Sequence, residues 1–257
     1  MLKISSLGAG NVAWHLTQNL EQKGCIIDEV YSRNLAHARM LAQQLGHATA
    51  TDSLDFWASE ADLFILAVTD DALEEVIRSM KVSPSAILVH TSGSQSMGVF
   101  DALPNPHGVF YPLQTFSKNK PIDFSEVPFC LEASDEDTFA LLYQMATVLS
   151  TKVYTVDSEQ RKKLHLAAVF ACNFSNHLMA LAEVILHREN LDFDMLRPLI
   201  KETMEKALSI KPQEAQTGPA YRNDRQIMEA HIRLLAGHPF EQEIYRLISQ
   251  SISAMYP

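Results

Sequence analysis

Cysteine is scarce and unpatterned in this chain. Cys25, Cys130 and Cys172 are its only three, far apart and outside any CxxC or Cys/His ligand spacing. That excludes a disulfide scaffold and a zinc site, and three scattered thiols suit a reducing cytosol. Basic charge is also in short supply: 21 Lys and Arg face 31 Asp and Glu, for a formal net charge of −10. With no Lys/Arg-rich stripe, the electrostatic footprint of a nucleic-acid binder is missing. An anionic ligand can then be held only through a local site. Long hydrophobic runs are absent too. The runs Leu63–Val68 and Ala86–Val89 are strand-length, whereas a membrane helix needs ~20 apolar residues. The chain starts Met1-Leu2-Lys3-Ile4 with no long apolar core followed by a small-residue cleavage site. The expectation is a cytoplasmic protein with no membrane partner. HExxH, a GxSxG nucleophile elbow, a P-loop and a Cys/His metal set are likewise missing, which leaves hydrolase, kinase and metalloenzyme readings without support.

What is present reads as an α/β domain followed by an all-helical one. Residues 1–156 alternate β-rich runs with helical stretches. The runs are Leu2–Leu7, Ile26–Tyr31, Leu63–Val68, Ala86–Thr91, Val109–Tyr111, Pro128–Glu132 and Val153–Val156. Between the early ones lie the periodic segments Val12–Lys23, Leu35–Leu45 and Ala72–Met80. Alternation of this kind predicts βαβ units and a doubly wound, mostly parallel sheet. Leu63–Val68 is apolar throughout, as a central strand covered on both faces should be. Over residues 157–257 the pattern changes: Ser158–Asn190 contains neither Pro nor Gly and repeats at helical spacing. Asp192–Ile210, Arg222–Ala236 and Phe240–Met255 also read as helices, broken at Pro212, Gly218-Pro219 and Gly237-His238-Pro239.

The first strand runs straight into Gly8-Ala9-Gly10-Asn11-Val12-Ala13, a GxGxxA. Gly8 permits the sharp turn, Gly10 lets the backbone approach a pyrophosphate, and Ala13 allows close helix–strand packing. The helix N-terminus then stabilises the phosphate charge. Following a strand and opening a helix is the context that gives this otherwise weak motif its meaning. At the end of the second strand an NAD site usually places a carboxylate for the ribose diol. Here the strand ends Tyr31-Ser32-Arg33-Asn34, and a hydroxyl and a guanidinium stand where a 2′-phosphate would lie. NADP is favoured, although Arg33 could instead cap the strand or stack on adenine. Val68 and Thr69 end another strand at the same edge. Asp70 beside them either meets a ribose or caps the next helix.

Candidates for chemistry follow. His90-Thr91-Ser92-Gly93-Ser94 ends a strand near where a nicotinamide would lie; Ser92 and Gly93 could line it, and His90 could meet substrate. Tyr111 and Gln114 belong to an aromatic, Pro-containing segment that faces a cleft or packs inward. On the long helix, at 100° per residue, His165, Asn173 and Asn176 group on one side of an otherwise apolar stripe. If buried, they need partners that substrate or a dimer core would supply. In the loop Gln216–Asp224, Thr217 is one candidate contact, and Arg222 holds an anionic substrate or pairs with Asp224.

The segments GAGNVAWHL, YSRN, VHTSGS, YPLQTF, LHLAAVFACNFSNHL and QTGPAYRND together resemble Rossmann-like proteins whose C-terminal half is domain of unknown function 2520. The similarity spans essentially the whole chain. Wider relatives implied by it are pyrroline-5-carboxylate reductase, deazaflavin-dependent NADP oxidoreductase and the 6-phosphogluconate and β-hydroxyacid dehydrogenases. The resemblance implies a helical C-terminal domain like that of 6-phosphogluconate dehydrogenase, NADP-linked oxidoreduction and a homodimer. One departure matters. β-Hydroxyacid dehydrogenases carry a catalytic Lys four residues before an Asn on the long helix. Here that position is Val169 or Cys172, and Lys162 and Lys163 lie too early. Alcohol oxidation by that mechanism loses support, whereas reduction of a small C=O or C=N substrate survives. His165 is the ready acid/base on that helix face, since an imidazole's ordinary pKa of ~6.5 suits proton transfer near neutrality. NADPH would meet Gly8, Ala9, Gly10, Asn11, Val12, Ser32, Arg33, Val68, Thr69, Ser92 and Gly93. The alternative is a non-catalytic NADP(H) sensor or scaffold.

Overall fold

In the computed structural model, which describes residues 1–256, the N-terminal part is the mostly parallel α/β sheet that the alternating pattern predicts. β1 (Lys3–Leu7) leads into α1 (Asn11–Gln22), β2 (Ile26–Tyr31) into α2 (Leu35–Ala42), and β3 (Thr49–Thr51) follows. Next come β4 (Leu63–Leu66), α3 (Asp70–Ser79), β5 (Ile87–His90), β6 (His107–Pro112), β7 (Phe129–Ala133), α4 (Glu136–Leu149) and β8 (Val153–Thr155). The strand order is β3-β2-β1-β4-β5-β6-β7-β8. All pairings are parallel except β6 with β7. Reversal of strand order at β1/β4 creates the switch point, the crevice where such sheets bind ligands.

Alternate residues of the central strand serve opposite faces. Leu63 and Ile65 join a core with Leu16 and Leu20 of α1, Leu41 of α2 and Leu142 of α4. Phe64 and Leu66 join a second core with Leu73, Val76 and Ile77 of α3. All four strand residues are buried, which is the reason the run is apolar without alternation. Two elements escape sequence reasoning. β3 is only three residues, Thr49-Ala50-Thr51, too short and too polar to register. α4 carries a helical pattern that lies between two strands, started by Asp135, whose side chain accepts from the Thr138 N–H.

Beyond β8 a 31-residue helix runs from Ser158 to Arg188. It comprises α5 (Ser158–Ala168), a π-helical stretch (Val169–Phe174) and α6 (Ser175–Arg188). Its start is set by a capping box between Asp157 and Gln160. The helix is long enough to cross a membrane and contains an 18-residue window of mean hydropathy 1.4, which the strand-length runs read as excluding. The reason is that short apolar runs such as Leu166–Cys172 and Leu178–Ala182, separated by polar residues, raise the mean without forming a run of ~20.

Packing divides the chain into one unit of Met1–Cys172 and a second beginning at Asn173. The pattern changes earlier, near Asp157. The boundary moves because α5 is held to the sheet: Leu164 packs against Val109, Tyr111 and Cys130, and Arg161 pairs with Glu132. The second unit continues through α6 to α7 (Arg197–Ser209), α8 (Pro212–Ala215), α9 (Arg225–Leu234) and α10 (Pro239–Met255). Pro212 opens α8 rather than simply breaking the chain, its fixed φ and missing N–H suiting the first helical position. The helix expected from Arg222 starts only at Arg225, capped by Asp224.

Candidate functional site

At the switch point the carboxyl ends of β1, β2 and β4 frame a cavity of about 160 Å³ lined by Gly8–Gly10, Tyr31–Arg33 and Ala67–Thr69, with Ala72 and Val76 of α3 behind them. Gly8 has φ +121°, and a Cβ there would lie 2.2 Å from the Ala67 carbonyl oxygen. Only glycine fits that turn. Gly10 opens α1 with no side-chain cap, and a Cβ on it would meet nothing within 4 Å. The first N–H groups of α1 are therefore left for a ligand beside open space. Ala13 is buried against the core. Asn11 is exposed and Val12 half-buried at the start of α1. The GxGxxA motif already marks this open turn between strand and helix.

Beside it, the Ser32 N–H donates to the Thr51 carbonyl at 3.1 Å, and its hydroxyl accepts from the Asn34 N–H at 3.3 Å. Arg33 is exposed at the rim, with no ion pair among the described residues. No carboxylate lines this cavity, so the residues present fit a dinucleotide with a phosphate on its ribose better than a bare diol. Thr69 is the residue before α3, and its hydroxyl makes no capping bond. Asp70 caps nothing: its carboxylate accepts from the Ser94 hydroxyl, tying the loop after β4 to the loop after β5.

That second loop carries the other half of the site. The Ser92 hydroxyl accepts from the Ser94 and Gln95 N–H groups at 3.1 and 3.0 Å, folding the loop into a tight turn. Gly93 then sits against two side chains at once. A Cβ there would lie 2.7 Å from His165 Nδ1 and 2.8 Å from the Tyr111 hydroxyl. Those two share a hydrogen bond of 3.1 Å, their rings edge-to-face with centroids 6.2 Å apart. Residues 54 apart in sequence are thus brought together by β6 and α5. Burial pushes the Tyr111 phenol up to about 12, so it stays protonated at neutral pH.

His90 takes no part. It is fully buried, stacked on Phe100 with centroids 5.8 Å apart, and its Nδ1 accepts from the Ser92 N–H at 3.1 Å. Burial lowers its pKa to about 4, and the nearby Arg161 charge adds to the effect. The substrate contact expected of His90 gives way to a core role, because its strand position points inward rather than out of the sheet edge. Gln114 is exposed, its side-chain oxygen accepting from the Thr115 N–H at 2.8 Å. It lines a separate cavity of about 360 Å³ with Thr115, Phe116 and Ser117.

The single face drawn through His165, Asn173 and Asn176 assumes 100° per residue throughout. The π-helical Val169–Phe174 stretch breaks that assumption, since an i→i+5 turn holds more residues than an α-helical one. His165 is half-buried in the first unit, whereas Asn173 and Asn176 are exposed in the second. Exposure removes any demand for buried partners. Thr217 and Arg222 are also exposed. Thr217 borders a largely apolar cavity of about 350 Å³ formed with α6 and α10. Arg222 does not pair with Asp224, which is occupied in capping α9.

Sequence reasoning missed Arg161, whose side chain has no solvent exposure. The available signal was its place one turn before His165 on the same helix.

Known proteins agree with this architecture. The Rossmann-like domain family matches residues 1–113, and the domain of unknown function family DUF2520 matches residues 127–252. A solved structure of a proposed NADP oxidoreductase from Bacteroides fragilis is 44% identical, with 98% of each chain covered and a TM-score of 0.89. A Thermotoga maritima protein is 24% identical over 98% of each chain, TM-score 0.70. A reductive aminase from Aspergillus terreus, solved with NADPH and ethyl-5-oxohexanoate, is 15% identical over 99% of this chain and 98% of its own, TM-score 0.71. These last two show the shared fold. No curated protein matches. The chain belongs to the family of Rossmann-like proteins carrying a DUF2520 C-terminal domain.

Proposed function

We propose that this chain is an NADP(H)-dependent oxidoreductase that reduces a small C=O or C=N substrate. The observation that carries the reading is the switch-point cavity, a Gly8–Gly10 cradle with the Arg33 guanidinium, not a carboxylate, at the end of β2. The name of the 44% identical Bacteroides fragilis protein supports it. Gly8 to Val12 would hold the pyrophosphate, Ser32 and Arg33 the 2′-phosphate, and Val68, Thr69, Ser92 and Gly93 would line the rest. Bound there, the reduced dinucleotide supplies a hydride. His165 gives the proton. Its Nδ1 is engaged by Tyr111, and Nε2 has no hydrogen-bond partner among the described residues, which leaves it to a substrate oxygen or nitrogen. Titration of NADPH and NADH by fluorescence, then turnover with a panel of carbonyls and imines, tests the reading. NADPH binding with no turnover on any of them would favour the sensor or scaffold instead.

The reading includes a homodimer built on the helical part. Leu178, Val184, Ile185, Leu199 and Leu247 are all at least 39% exposed, a larger apolar surface than a solitary chain usually presents. Anchorage of α5 on the sheet favours a partner subunit over a bilayer as the cover for this helix. A monomer by light scattering at micromolar concentration would contradict it. Three free thiols fit a cytoplasmic location.

A further inference from the structure

Arg161 is a large charged side chain with no solvent exposure. Its Nη1 donates to Glu132 Oε2 at 2.5 Å. Its Nη2 donates to the Gln95 carbonyl at 2.7 Å and to Ser158 Oγ at 3.2 Å. The Ser158 hydroxyl donates in turn to Glu132 at 2.8 Å and accepts from the Met97 N–H at 2.9 Å. Three elements therefore meet at one guanidinium: the end of β7, the first turn of α5, and the loop after β5 that carries Gly93.

Those are the elements that assemble the Tyr111–His165 pair. His165 lies four residues beyond Arg161 on the same helix, hence on the same face. Tyr111 is registered opposite Cys130, two residues from Glu132 on the same strand. The Gly93 contact leaves no slack, because any side chain there would collide with both partners.

Stability alone does not explain a buried charge here. Desolvation offsets much of the attraction in a buried ion pair, and a well-packed apolar pair often serves as well or better. The arrangement even leaves Arg161 Nε without a hydrogen bond. What an apolar pair could not supply is a positive charge. That charge is felt at Tyr111, where it favours the ionised phenol against the effect of burial.

We propose that Arg161 is a positioning residue for the Tyr111–His165 pair: through Glu132, Ser158 and Gln95 it holds Gly93 and α5 at the spacing their hydrogen bond needs. The proton balance is simple. As the Nε2 proton leaves for the substrate, the Tyr111 hydroxyl proton moves to Nδ1, leaving a phenolate. Water then returns one proton through Nε2 and the phenol is restored, so each turnover consumes one solvent proton. The inference rests on the reductase reading for its function, but its geometry is testable without cofactor.

The test is nitrogen-15 NMR of the His165 imidazole in the full-length protein, assigned by its loss in His165→Gln. Wild type should show the tautomer protonated at Nε2, with Nδ1 accepting, and Tyr111→Phe should remove that bias. The double variant Arg161→Met/Glu132→Leu removes the charge while filling its volume. It should fold, move the His165 signals toward those of Tyr111→Phe, and lower kcat about tenfold with KM nearly unchanged. Should that variant fail to fold, Arg161→Lys is read the same way. A single ammonium cannot span the acceptors a guanidinium reaches, and its spectrum should fall between the other two. A folded variant of either kind with the wild-type His165 spectrum overturns the proposal. A wild-type protein that binds no NADPH yet shows the expected spectra would sink the reductase reading and leave the Arg161 assignment standing.

Discussion

The two units of this chain treat their polar and apolar side chains in opposite ways. In Met1–Cys172 the polar groups singled out are fixed by strand ends and by each other: Asp70 by Ser94, Ser92 by its own turn, Tyr111 by His165. From Asn173 onward the corresponding residues, Asn173, Asn176, Thr217 and Arg222, are exposed, and so are many large apolar ones such as Leu199 and Leu247. A parallel sheet has two covered faces and a carboxyl edge at which loops distant in sequence converge. A set of helices has no such edge, and what its surfaces do depends on what covers them.

If the first unit is a preorganised site, its parts should be costly to alter. Gly8→Ala forces a Cβ into the Ala67 carbonyl at a left-handed φ. It should cost roughly 3 kcal/mol or more and abolish dinucleotide binding, read by thermal melts and cofactor titration. A melt unchanged from wild type would mean the turn is not rigid.

His90 should make stability depend on pH. Its folded pKa of about 4 lies below the ordinary histidine value, so below about pH 6.5 the unfolded chain binds the proton first. Stability is full above that pH and falls as pH drops toward 4, by on the order of 3 kcal/mol. Urea melts across this window should show a shallower slope for His90→Phe than for wild type.

His165→Ala should lower turnover by about 10²-fold while NADPH still binds and the fold survives. A variant that instead melts several degrees lower with unaltered turnover per folded molecule would make His165 a structural partner of Tyr111. Arg33→Ala should weaken NADPH roughly tenfold to a hundredfold and spare NADH, as expected for a charge-assisted contact worth ~1.5–3 kcal/mol. Equal loss of both cofactors would remove Arg33 from the phosphate.

The second unit supplies the smallest effect. Asn176→Ala, at an exposed position, should change unfolding free energy by no more than about 0.5 kcal/mol in urea melts. A larger change would show that something covers this residue in solution, and would narrow the contrast between the two units.

Legibility in the sequence follows the range of the interactions involved. The GxGxxA turn, the carboxylate-free end of β2 and the uniformly apolar β4 are local signals, since backbone geometry and burial on both faces act on consecutive residues. The strand–helix alternation determined the fold class for the same reason, although β3 and α4 passed unseen and α8 was read as a break. His165 and Tyr111 were visible separately as polar residues in apolar surroundings, but nothing local linked them. Helical periodicity joined His165 to Asn173 and Asn176, and the π-helical stretch between them breaks the even 100° spacing on which that grouping rests.

By itself, then, the sequence determined a Rossmann-type sheet, an open glycine turn after its first strand, a guanidinium rather than a carboxylate at the end of its second strand, and a helical second half. Only the tertiary structure decided that His90 is core, that Asp70 bonds Ser94, that Gly93 is hemmed in by His165 and Tyr111, and that Arg161 anchors them through Glu132. The physical reason is sequence separation. Those contacts join residues 18 to 72 positions apart, and their distances are set by strand order and helix docking, which no window of neighbouring residues encodes.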